Sequence, residues 1–213
     1  MYILKATTLS KRLEDSNMKP TTYLRKAFRL SDGYNDKGNF KTREGKLNGE
    51  IFPYDRGGFS SNGALALVDY NYSGEFSELE SPIERLKAKR TDLTCRFAVT
   101  KIHFERMVKC VNSVRSKMLR LDINGRLEVY GCSDDGQTYG ALANGDNWNV
   151  TKTKKAVGLY RKIGGDSIFY VNPKYLLDAL SGFNDILIVS IHGDLMILQD
   201  DNREAWIMGM RPK

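Results

Sequence analysis

One unit of sequence occurs twice in the carboxy-terminal part of this 213-residue chain, and a duplicated unit leaves few architectures open. The first copy begins with Phe97-Ala98-Val99-Thr100. It continues through an amphipathic run carrying Phe104, Met107, Val108 and Val111, and ends in Leu119-Arg120-Leu121-Asp122-Ile123-Asn124-Gly125-Arg126-Leu127-Glu128-Val129. The second repeats that order: Phe169-Tyr170-Val171-Asn172, a run through Leu176, Leu177 and Leu180, then Leu187-Ile188-Val189-Ser190-Ile191-His192-Gly193-Asp194-Leu195-Met196-Ile197. The offset is 72 residues from Phe97 to Phe169 and 68 from Gly125 to Gly193, so one gap lies between the helical run and the hairpin.

Each copy reads as strand, helix, hairpin. Apolar residues at 104, 107, 108 and 111 follow the spacing of an amphipathic helix. Asn124-Gly125 between alternating segments is a strong hairpin signal, and His192-Gly193 takes its place in the second copy. Asn172 caps the second helix, with Pro173 at the first helical position, where a missing N–H costs nothing. Further strands are expected at Gly140 to Ala143 and at Glu204 to Met210. The fold class is therefore α+β, with 93–213 one domain built from two strand-helix-strands repeats, helices on one face of antiparallel sheets.

Residues 1–92 show no evident copy of that unit and admit three readings: a divergent domain, half a domain or a decoration. Strands are expected at Tyr2 to Ala6, Lys46 to Phe52 and Ala64 to Tyr70, with helices near Leu9 to Leu13 and Thr22 to Phe28. Residues 74–92 read as a connector ending in the basic run Arg85-Leu86-Lys87-Ala88-Lys89-Arg90, either a solvated linker face or part of a phosphate-facing surface.

The second copy and the end of the chain resemble the bacterial DNA polymerase III beta subunit, the sliding clamp. The residues that carry the resemblance are Asn172-Pro173-Lys174-Tyr175-Leu176-Leu177-Asp178-Ala179-Leu180 and Ala205-Trp206-Ile207-Met208-Gly209-Met210-Arg211, with Gly74-Glu75-Phe76 up to Pro82 similar to the family's connector. It covers roughly residues 74–213, with Gly209 where the family has proline. Clamp domains consist of two strand-helix-strands units, the repeat already described. The resemblance implies helices lining a central hole, a ring of six domains built as a homo-oligomer, and no catalysis. The shortness of the chain then points to a phage or mobile-element version.

On that resemblance Lys101, Arg106, Lys109, Arg115 and Lys117, opposed locally by Glu105 alone, would meet duplex DNA without regard to sequence, with Lys174 a weaker member because Asp178 offsets it. Met208, Met210 and Arg211, with Trp206 and Pro82 as lesser candidates, would line a pocket for short peptides of a DNA polymerase and a clamp loader. Methionines suit a surface that accepts varied apolar side chains. The alternative is a clamp-derived module that closes no ring and binds a replication protein or competes with a host clamp.

Composition fits this reading. A net charge of +7 favours polyanionic partners, and 41% apolar residues mark an ordinary globular chain. Without a run of about 20 apolar residues or a signal-peptide layout, a cytoplasmic location and no membrane are expected. Cys95, Cys110 and Cys132 fit neither a disulfide framework nor a zinc site and read as buried small hydrophobes. His103 and His192 lack a nucleophile motif, and Asp134-Asp135 and Asp200-Asp201 sit beside turn residues, so no catalytic residue, metal or cofactor is expected.

Overall fold

The computed structural model describes residues 18–30, 50–112, 117–124, 127–133, 138–144 and 160–212. The first copy supplies β4 (Cys95–Thr100), α3 (Lys101–Asn112), β5 (Met118–Ile123), β6 (Leu127–Cys132) and β7 (Thr138–Asn144). After β8 (Tyr160–Gly164), the second supplies β9 (Ser167–Val171), α4 (Pro173–Leu180), β10 (Ile186–His192), β11 (Leu195–Gln199) and β12 (Arg203–Met208). Before both lie α1 (Pro20–Leu24), a 3₁₀ turn (Arg25–Leu30), β1 (Phe52–Tyr54), β2 (Gly57–Ser61), β3 (Leu65–Asp69) and a short α2 (Ile83–Lys87).

The two copies are interlocked by exchange of their first strands. β4 pairs with β10 of the second copy and β9 with β5 of the first, both antiparallel. Phe97 faces Val189 and Phe169 faces Leu121, which under the offsets of the repeat is the same pair seen twice. Neither unit can complete a sheet without the other. The resulting sheets run β1-β2-β3-β12-β11-β10-β4-β8 and β7-β6-β5-β9.

Local chemistry explains the elements. On α3 the stripe Phe104, Met107, Val108, Val111 is buried, and so is His103. The Asn172 side chain accepts the Lys174 N–H at 2.9 Å and starts α4 ahead of Pro173. β10 and β11 are joined by Gly193-Asp194, with Gly193 at φ +58°, as a two-residue turn opened by glycine requires. The tip of the first hairpin, including Gly125, lies outside the described residues.

β12 carries the eight-stranded sheet beyond the duplicated unit. Its free side pairs with β3, Arg203 opposite Asp69 and Ile207 opposite Leu65, so β3-β2-β1 mirrors β12-β11-β10 across that junction. The mirror extends to the helices, since Tyr23-Leu24-Arg25-Lys26-Ala27 matches Tyr175-Leu176-Leu177-Asp178-Ala179 at tyrosine, leucine and alanine. All six matched side chains are buried in one core shared with Phe97, Phe104, Leu121 and Phe169. A third helix-plus-meander thus stands beside the two recognised from sequence. The signal was present as Tyr-Leu-x-x-Ala, but five residues at an unrelated spacing from their hairpin do not stand out.

Other differences from expectation are local. The helix expected over 22–28 is α1 followed by a 3₁₀ turn, and β1 starts only at Phe52. The elements expected at Tyr2 to Ala6 and Leu9 to Leu13, and most of the one expected at Lys46 to Phe52, lie outside the described residues. Within 74–92, α2 buries Ile83 and Leu86 against the outer face of the large sheet in a second cluster with Phe52, Phe59, Ile197 and Trp206. Among the described residues no helix is long and apolar enough to cross a membrane.

Candidate nucleic-acid interface and carboxy-terminal strand

α3 packs against α4, and α4 against the 3₁₀ turn, so the helices form one layer over the shared core. Their outward faces differ. On α3, Ile102, Arg106, Lys109 and Cys110 are exposed, while Lys101 and Glu105 are half-buried. Cys110 departs from the expectation of a buried cysteine because position 110 falls on the outward stripe; Cys95 and Cys132 are buried.

Glu105 does more than oppose the basic row. One oxygen takes Lys101 Nζ at 2.7 Å and the other takes Lys109 Nζ at 2.5 Å, a four-residue step in each direction along the helix. Burial would raise its pKa, but the hydrogen bonds and charges of the two lysines outweigh it and hold the carboxyl below its ordinary value. Two of the cations expected to face DNA are therefore engaged within the helix, leaving Arg106 as the outward cation between them. Lys117 is exposed beyond the helix, Arg115 lies outside the described residues, and Lys174 is exposed on α4. Burial and the neighbouring Arg106 lower the pKa of His103.

The carboxy-terminal candidates separate into two groups. Trp206, 2% exposed, is the centre of the outer cluster. It meets Tyr54 edge-on at 6.2 Å between ring centroids and donates its indole N–H to Glu204 Oε2 at 2.8 Å. Met208 is half-buried against the same cluster, and Pro82 is buried where α2 begins. Met210 and Arg211 lead away. The Met210 N–H donates to Tyr170 O at 2.8 Å, crossing to β9 of the other sheet, and Arg211 pairs with Asp194 in solvent. Gly209 has a reason to differ from proline: its N–H donates to Asp194 O at 2.7 Å, a bond proline lacks.

Sequence reasoning missed Arg203. Its Nε donates to Asp69 Oδ2 at 2.6 Å, its other nitrogens donate to the carbonyls of Gly182 and Met18, and it lies 4.8 Å from the Tyr23 ring centroid. A buried arginine on this strand ties the third helix-plus-meander to the second copy. Asp200 accepts the N–H groups of Asn202 and Arg203 at 2.8 and 2.7 Å and shapes the β11–β12 turn. Asp134 and Asp135 lie outside the described residues. No cluster of three metal-ligating side chains occurs among the described residues.

No protein-family model matches this sequence, and no curated protein matches it. Solved structures do match. The DNA polymerase III subunit beta of Borrelia burgdorferi, in complex with a natural product, superposes with a TM-score of 0.57 at 15% identity, over 89% of this chain and 60% of that one. The sliding clamp of Bartonella birtlesii bound to griselimycin gives 0.57 at 12% identity over 89% and 63%, and the C. crescentus beta sliding clamp 0.59 at 11% over the same shares. This chain therefore has the sliding-clamp fold, and it spans 60 to 63% of the length of these clamps.

Proposed function

We propose that this chain is a sliding-clamp-like processivity factor that encircles duplex DNA as a homo-oligomer and tethers a DNA polymerase, and a loader where one acts, through short peptides. The observation that carries the reading is the basic outward face of α3 within a sliding-clamp fold. Arg106, Lys109, Lys101, Lys117 and Arg115 supply the phosphate-facing charge, with Lys174 contributing from α4. Such contacts are indifferent to sequence and weaken with salt, as a protein that moves along DNA needs.

For the peptide, Met208 lies against the outer cluster with Pro82 buried where α2 begins, while Met210 and Arg211 extend from the end of β12 toward Tyr170 and Asp194. Met210→Ala and Arg211→Ala should weaken binding of an apolar clamp-binding peptide without lowering the melting temperature; unchanged affinity moves the role elsewhere.

The DNA reading is tested by duplex binding across a salt series. Replacing both Arg106 and Lys109 with alanine should lower affinity and reduce the salt slope by about 1, near 0.9 for the phosphate contact of Arg106, because Glu105 already engages Lys109. A wild-type slope in the double variant removes α3 from the interface. The burial of Trp206 in the cluster favours a second reading, a module that closes no ring and binds a replication protein or competes with a host clamp. Solution mass separates the two, since only that second reading predicts a monomer at high concentration.

A further inference from the structure

A separate basic surface lies on the other side of the large sheet. Along β12, Ala205 and Ile207 enter the core beneath the helix layer, while Trp206 enters the outer cluster, so α2 and its neighbours face away from α3 and α4. Four groups form a row there. Arg56 sits 5.1 Å from the Tyr70 ring centroid, Tyr70 stacks on Tyr54 with centroids 6.4 Å apart and an interplanar angle of 24°, and Lys87 lies 5.7 Å from the Tyr54 ring. Both tyrosines are half-exposed.

The row is anchored from below. The Tyr70 hydroxyl donates to Glu204 Oε1 at 2.5 Å, and the same carboxylate takes Gln199 Nε2 at 3.0 Å and the Trp206 indole N–H. Burial and this bond push the Tyr70 phenol up, so it stays protonated and keeps donating. On and after α2, Arg85, Lys89 and Arg90 are exposed, and the Arg90 charge acts on Tyr54; besides Glu204 the acids near that ring are Asp55 and Glu84, the latter paired with Lys87 at 2.9 Å.

We infer that this outer row binds single-stranded nucleic acid, its cations taking phosphates and the Tyr54 and Tyr70 rings taking bases. Stacked, half-exposed aromatic side chains flanked by cations are what a single strand uses. A duplex keeps its base faces closed, and an acidic peptide would engage the cations without the rings. The site is independent of the proposed duplex face.

The test compares oligo(dT) with a duplex of equal length, using polyglutamate as competitor. The Lys89→Glu/Arg90→Glu variant, altered only at exposed positions, should bind oligo(dT) at least about tenfold more weakly and duplex as wild type does. Tyr54→Leu should also weaken oligo(dT) binding about tenfold, its fold checked by melting. Wild-type oligo(dT) affinity in the charge-reversed variant overturns the inference, even if Tyr54→Leu proves unstable. Loss that follows Arg106 and Lys109 instead also overturns it, as does displacement by polyglutamate as effective as by DNA. Failure of the α3 duplex experiment would leave these outcomes readable.

Discussion

α3 and α4 occupy the same place in the two copies of the unit; their inward positions share burial, and their outward positions share neither residue type nor surroundings. At the offset of 72, His103, Phe104, Met107, Val108 and Val111 correspond to Tyr175, Leu176, Ala179, Leu180 and Phe183, and every one of these is buried. The outward positions share nothing: Ile102, Glu105, Arg106, Lys109 and Cys110 correspond to Lys174, Leu177, Asp178, Ser181 and Gly182. On α3 those positions make an exposed basic face. On the α4 side two of them meet the third helix-plus-meander: Lys26 Nζ donates to Ser181 Oγ at 2.5 Å, and Gly182 lies against Tyr23. A duplicated core thus carries two diverged surfaces, one that joins the chain to itself and one that is exposed.

The comparison breaks most severely at Arg203. Arg203→Met leaves Asp69 buried without its partner and should cost about 3 to 5 kcal/mol in urea unfolding. By contrast, Lys101→Ala on the first copy, which loses one partly exposed ion pair, should cost under about 1 kcal/mol. Equal costs would mean that the second copy is not locked as described. Gly182→Ala should come next, because an added Cβ would lie 2.1 Å from the Tyr23 ring; a loss of about 1 to 3 kcal/mol is expected, against a negligible one for Cys110→Ala at the corresponding position.

Glu105→Gln sharpens the contrast from the other side. It releases Lys101 and Lys109, so duplex affinity should rise and the salt slope steepen by up to about 2, although the helix loses its ion pairs. A flat or weaker response would assign the lysines to the helix alone. The smallest effect concerns pH. Because the pKa of His103 is lowered on folding, the unfolded chain takes up its proton first, near pH 6.5. That contribution is complete above about pH 6.5 and declines as pH falls below it. His103→Leu should therefore flatten the melting curve's dependence on pH between about 7 and 5. The second copy, with Tyr175 at this position, supplies no such term.

The sequence made the duplicated unit legible because strand alternation, helical spacing and the Asn-Gly and His-Gly turns repeat in register. The exchange of β4 and β9 was not legible, since hydrophobic periodicity reports which face is buried and says nothing of which strand lies alongside. The third helix-plus-meander was missed for want of a matching interval, and Arg203 because a lone arginine before an apolar strand looks like a turn residue. Basic residues on α3 could be counted from sequence. Their engagement by Glu105 required the helix geometry that brings both lysines onto one carboxylate. Trp206 is expected from the resemblance to line the peptide site, and its burial among Phe52, Phe59 and Leu86 is a matter of packing from three distant segments.

Retention on DNA tests the central claim most directly: the protein is loaded on nicked circular duplex, unbound protein is removed in high salt, and release is followed after a single linearising cut. Encirclement predicts retention on the circle and rapid loss from the cut ends. Equal release from circular and linear DNA would contradict it and leave a clamp-fold module that binds without closing.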